Sequence, residues 1–175
     1  MFDADKSIAI ARATAMGIPT TMDPQPYPYF SWDGTRFALF ERSSEEITHE
    51  IGHWLVAKVR RRKLPEFGLG SSTYSHSKDT DIVQRRGLDS DKEEGYASAL
   101  GLVIFADLGA PVWEIRQAST SMGWSQYSHE TLRRDMAKAW NFGKLGKRPV
   151  AYLKVLDIML EESSSFFKRH PVRPL

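Results

Sequence analysis

The chain has 175 residues, 41% of them hydrophobic and 26% charged, the proportions of a soluble globular protein of one domain. Its formal net charge of +2 is too mild to argue for nucleic acid. It contains no cysteine, which excludes disulfides and thiolate metal sites and leaves His, Asp and Glu as metal ligands. That donor set suits a catalytic site better than a structural one. The first residues do not read as a signal peptide, and no stretch reaches the roughly 20 apolar residues of a membrane span, so a cytoplasmic location is expected.

In chain order, residues 4–16 predict a first helix, stopped by Gly17 and Pro19. Residues 20–30 carry three prolines and read as a loop. Residues 29–41 predict a β-hairpin whose aromatic arms flank Asp33-Gly34, a dipeptide that favours a tight type I′ turn. The edge of that hairpin is a candidate for pairing with an extended peptide. Ser43 with Glu46 spells a capping box and starts a second helix. Ile47, Ile51, Leu55 and Val59 give it an apolar stripe, and Arg60, Arg61, Arg62 and Lys63 sit in its predicted last turn before Pro65. Residues 66–89 are rich in glycine and serine, with room for one or two short strands. Ser90 and Glu93 spell a second capping box, starting a helix that runs to Gly109 and Pro111. A short helix at 111–119 and two longer ones at 128–142 and 149–168 complete an α+β chain, mostly helical after residue 90. The five tryptophans are spread over separate elements and suit a core. The last helix is amphipathic, a core or dimer face, and the oligomeric state stays open. The basic runs 58–63 and 166–174 read as solvated helix ends rather than as a nucleic-acid surface.

The chemistry lies in the second helix, which contains His49-Glu50-Ile51-Gly52-His53. Positions four apart lie on one face, so His49 and His53 can offer imidazole nitrogens to one metal ion. Glu50, offset by one residue, would stand beside the metal, placed to accept a proton from water. Gly52 costs about 1 kcal/mol of helix propensity against Ala, which suggests that something approaches the helix closely there. A catalytic zinc needs a third protein ligand. Glu93, Glu94, His76, Asp79, Asp81, His129 and Asp135 are the candidates. Glu93 has a role in the capping box, whereas Glu94 has none. Ala97 and Ser98 follow Glu94 on the same helix face, and small residues there allow close helix packing. Tyr74, His76, Tyr127 and His129 are candidate oxyanion donors.

"HEIGHWLVA" followed by "EEGYAS" resembles the glutamate zincins, in which a second helix supplies the third ligand from an N/E-E-G-[FY]-A-[ST] segment, as in the aminopeptidase-N type. That resemblance implies a zincin-like fold over residues 1–175, zinc held by His49, His53 and Glu94, and Glu50 as the general base of a peptidase acting on a peptide or protein substrate. The spacing from His53 to Glu94 is longer than in aminopeptidase N, and that family's exopeptidase motif is absent. "HEIGHWLVA" equally resembles the membrane ATP-dependent zinc proteases, whose third ligand is a later aspartate; that likeness points to Asp135. A third likeness is to small phage-associated H-E-x-x-H proteins. All of these cover about residues 43–105. A zincin-like regulatory or binding module with little or no proteolysis, and a basic nucleic-acid-associated helical protein, are the alternative readings.

Overall fold

The computed structural model describes residues 6–22, 31–39, 42–69 and 90–170 of the chain. Six helices dominate it: α1 (Lys6–Ala15), α2 (Ser44–Val56), α3 (Ser90–Asp107), α4 (Val112–Ser121), α5 (His129–Phe142) and α6 (Val150–Arg169). The only sheet among the described residues pairs β1 (Thr20–Thr21) with β2 (Phe37–Ala38) in parallel, Thr20 opposite Phe37. The α+β expectation holds in this coarse form: a mostly helical chain with a very small sheet.

The local signals explain most of the boundaries. The Ser43 hydroxyl accepts from the Glu46 N–H at 3.2 Å and the Ser43 N–H donates to the Glu46 carboxylate at 2.7 Å, so the capping box that starts α2 is formed. Gly17, at φ +70°, turns the chain out of α1. Ser128 caps α5 through the Thr131 N–H. Other expectations are corrected. The hairpin is reduced, among described residues, to one antiparallel bridge between Trp32 and Phe37. Its loop is not a two-residue type I′ turn. The Asp33 carboxylate accepts from the Thr35 and Arg36 N–H groups and from the Thr35 hydroxyl, closing a four-residue loop instead. The strand that follows pairs in parallel with residues 20–21 on one side and keeps its contact with the hairpin arm, through the Trp32 bridge and the Ala38 N–H to the Ser31 carbonyl, on the other.

The second helix also ends early, at Val56, with Ala57 already extended. Val59 is exposed rather than part of the buried stripe, and Arg60 and Arg61 lie on a separate 3-10 turn. A second 3-10 segment, Pro65–Gly68, contains three successive left-handed residues: Glu66 (φ 44°), Phe67 (φ 55°) and Gly68 (φ 73°). Two of these are not glycine, at a cost of order 1 kcal/mol each, so tertiary contacts must hold them. The strands suggested for 66–89 fall outside the described residues beyond Leu69, which itself follows that 3-10 segment.

Two apolar clusters lie on either side of the α2–α3 pair. One gathers Ala9, Ala13, Ile18, Trp32, Phe37, Leu39, Ile47, Ile51 and Phe67. The other is built by α3 to α6 around Leu100, Leu102, Ile115, Leu132, Met136 and Val155. The third helix is apolar on nearly all sides because it serves both. Trp113 is exposed and is not a core residue, and Leu153 on α6 also points outward. Among the described residues no helix is long and apolar enough to cross a membrane.

Candidate metal centre

The two central helices meet through glycine. A Cβ at Gly52 would lie 2.1 Å from the Ala97 carbonyl oxygen, and one at Gly101 would lie 2.7 Å from the His49 Cα. Backbone therefore packs on backbone at both points. The close approach expected at Gly52 is present, against the small residue expected opposite. Gly101 is the reciprocal contact, which the sequence reading missed. It lies in an apolar run where a glycine carries no local signal.

This interlock sets the face of α2 that carries His49 and His53 against the first turns of α3. The His49 Nε2 lies 3.0 Å from one oxygen of Glu94 and the His53 Nε2 lies 3.0 Å from the other. The two Nε2 atoms are 3.1 Å apart. These three residues are the only group among the described residues whose donor atoms converge as metal ligands do. His49 and His53 are largely buried, while the Glu94 side chain is 55% exposed, so the group opens to solvent on the α3 side. The Ser98 hydroxyl lies 3.4 Å from the His49 Nδ1. The Glu50 Oε2 and the His53 Nδ1 are buried with no hydrogen-bond partner among the described residues.

Fit to a metal ion can be judged from these distances. Ligand atoms on a tetrahedron with bonds of ~2.0 Å stand ~3.3 Å apart. The two Nε2 atoms, 3.1 Å apart, and the Glu94 oxygen 3.0 Å from each are near that spacing, with a different oxygen of the carboxylate facing each ring. Two neutral imidazoles and a carboxylate, with an open side, are donors that could hold a metal ion. In the metal-free protein the charges act on one another. Burial opposes ionisation of Glu94, but hydrogen bonds from His49 and His53 outweigh it and hold the carboxyl well below the usual carboxylate range. Burial likewise opposes the charged form of His49, and the Glu94 hydrogen bond with the charges of Glu50, Glu94 and Glu45 overcomes it, raising its pKa. A metal competes with a proton for the His49 nitrogen.

The remaining candidates fall elsewhere. His76, Tyr74, Asp79 and Asp81 lie outside the described residues. The His129 Nε2 is 3.0 Å from the Leu160 carbonyl and 2.9 Å from the Ser164 hydroxyl, in the α5–α6 contact. Asp135 pairs with Arg134 and, with Tyr96, Trp124 and Tyr127, lines a separate cavity of about 440 Å³ between α3 and α5. Neither residue joins the histidine pair. Glu93, expected in a capping box, has its carboxylate in a buried two-pronged ion pair with Arg61, at 2.5 and 2.6 Å.

Glu66 is a residue the sequence did not signal. Its side chain accepts from the Ser31 and Trp32 N–H groups at 2.6 and 3.0 Å. Burial, with the charge of Glu50 adding to it, pushes its pKa up to about 8. A carboxyl whose folded pKa exceeds its unfolded value adds stability that is complete below the unfolded value and is lost as pH rises through the folded one. Metal-free protein is therefore expected to lose on the order of a few kcal/mol between pH 4.5 and 8 through this group. Glu66→Gln should flatten that slope and raise stability at pH 8 but not at pH 4.5. Urea unfolding across this pH range measures it; identical slopes would reject the assignment.

No protein-family model matches the sequence, and comparisons with curated proteins and with solved structures find no match.

Proposed function

We propose that the protein is a zinc-dependent peptidase of zincin type. The observation that carries this reading is the convergence of His49, His53 and one glutamate of a second helix, Glu94, whose two oxygens lie 3.0 Å from one Nε2 each while the two Nε2 atoms are 3.1 Å apart. The H-E-x-x-H order on α2 and the Glu-Glu-Gly-Tyr-Ala-Ser order on α3 support it as a likeness to the glutamate zincins.

When bound, zinc supplies Lewis acidity, which lowers the pKa of water and polarises a peptide carbonyl. The chain's own residues do the rest. His49 and His53 present their Nε2 atoms from one helix face, and Glu94 supplies negative charge opposite them. Glu50 follows His49 directly, and its unpaired, buried Oε2 gives it the freedom to take a proton from the attacking water and pass it to the leaving amine. Ser98 stands beside the His49 Nδ1 and limits rotation of that ring. Burial of both imidazoles keeps bulk water from competing on the α2 side.

Purified protein reconstituted with zinc is expected to hold the metal stoichiometrically and to cleave a fluorogenic casein or peptide library. The Glu50→Gln variant should keep the zinc and lose activity by roughly 10²–10⁴-fold. Absence of bound zinc would reject the metal centre. Retained zinc with hydrolysis unchanged in the variant would reject Glu50 as the base.

A further inference from the structure

Arg61 touches neither histidine nor Glu94, yet it links the two sides of the metal centre. It is 6% exposed, and all three of its hydrogen-bonding branches are engaged. The Nε–H donates to the Phe67 carbonyl at 2.8 Å. The two terminal nitrogens donate to the Glu93 carboxylate, one residue before Glu94 on the first turns of α3. Phe67 belongs to the left-handed segment and lies stacked on the His53 ring, centroids 5.8 Å apart and planes 17° apart. On its other contact it stacks against Trp32, at 5.6 Å and 3°. A metal-binding imidazole is ordinarily oriented by a hydrogen bond from its second ring nitrogen. The His53 Nδ1 has no such partner among the described residues, so the aromatic stack is what orients this ring.

The geometry points to Arg61 as a positioning residue for the metal centre, holding Phe67 flat against His53 and the start of α3 at the depth where Glu94 reaches both imidazoles. This rests on the metal-centre reading above. α2 stops at Val56, and Arg61 makes these contacts from the separate 3-10 turn that follows. Arg62, by contrast, packs over the Trp54 ring and is not part of this link.

Cobalt(II) is the probe, because its visible absorption reports the symmetry of the ligand set directly. Wild-type protein must first bind cobalt in a four-coordinate site; if it does not, the metal-centre reading itself fails. Arg61→Lys, which keeps the charge but not the fork, and Phe67→Leu, which leaves the ion pair intact, are then compared with Leu132→Ala, a core variant of the α3–α6 cluster. Titrations are made at a temperature where all are folded. Arg61→Lys and Phe67→Leu are each expected to weaken cobalt binding by roughly 10–100-fold and to alter the absorption band. Leu132→Ala should lower the melting temperature and leave band and affinity within about twofold of wild type. If Arg61→Lys does not fold, Phe67→Leu decides alone. An unchanged band with affinity within about twofold in these variants would overturn the proposal and leave Arg61 a structural ion pair.

Discussion

Glu94→Ala is expected to weaken zinc binding by more than the 10–100-fold that loss of an outer-shell partner costs. Both carboxylate oxygens of Glu94 face the histidine pair, one to each Nε2 at 3.0 Å. Alanine removes one of three donors and also the only negative group in direct contact with both rings among the described residues. In the metal-free protein the same change removes the hydrogen bond that holds the His49 pKa up, so His49 should titrate at lower pH in the variant. The measurement is a competition titration against a chromophoric chelator, with His49 followed by NMR. Asp135→Ala is the matched control and should leave affinity unchanged, since Asp135 pairs with Arg134 in another part of the molecule. Equal affinity in wild type and Glu94→Ala would mean that the third donor lies elsewhere.

A single methyl group at Gly52 should be as damaging as loss of a large core side chain. Helix propensity alone favours Gly→Ala by about 1 kcal/mol. Here the added carbon would sit 2.1 Å from the Ala97 carbonyl oxygen, and only a shift of one helix against the other can relieve that. Destabilisation of ~3 kcal/mol or more, or failure to fold, is the expected result for Gly52→Ala. Gly101→Ala, 2.7 Å from the His49 Cα, should behave similarly. Gly95 supplies the internal comparison. Its nearest neighbour would be a side-chain carbon of Trp124 at 3.8 Å, an ordinary contact, so Gly95→Ala should be neutral or stabilising. Chemical denaturation of the three variants tests this. Equal behaviour at positions 52 and 95 would show that the helices are not interlocked.

Glu94 and Gly52 differ in how far the sequence alone discloses them. Signals that act within one turn were legible: Ser43 and Glu46 begin α2, Gly17 ends the first helix region, and Gly52 marks a close approach from a propensity penalty that local structure does not repay. The two histidines share a face for the same local reason. What the sequence could not disclose depends on partners far along the chain. α2 ends at Val56, well before Pro65, and Arg61 beyond that end reaches Glu93 and Phe67. Glu94 faces the histidines, and Glu93 beside it pairs with Arg61, a partner 32 residues away that no local pattern signals. Glu66 gives no warning at all, because its burial follows from left-handed backbone at residues where only tertiary contacts could impose it.

The glycine contacts between α2 and α3 have a kinetic side. The two helices are joined by residues 57–89, and the Gly52–Ala97 and His49–Gly101 contacts leave little room for a loosened, partly docked pairing. The histidines and Glu94 come within range of one another only when the main chains are fully seated. If that seating comes late in folding, an ion held by all three would grip a late arrangement. It would lengthen the lifetime of the folded chain while scarcely changing how fast that chain is reached.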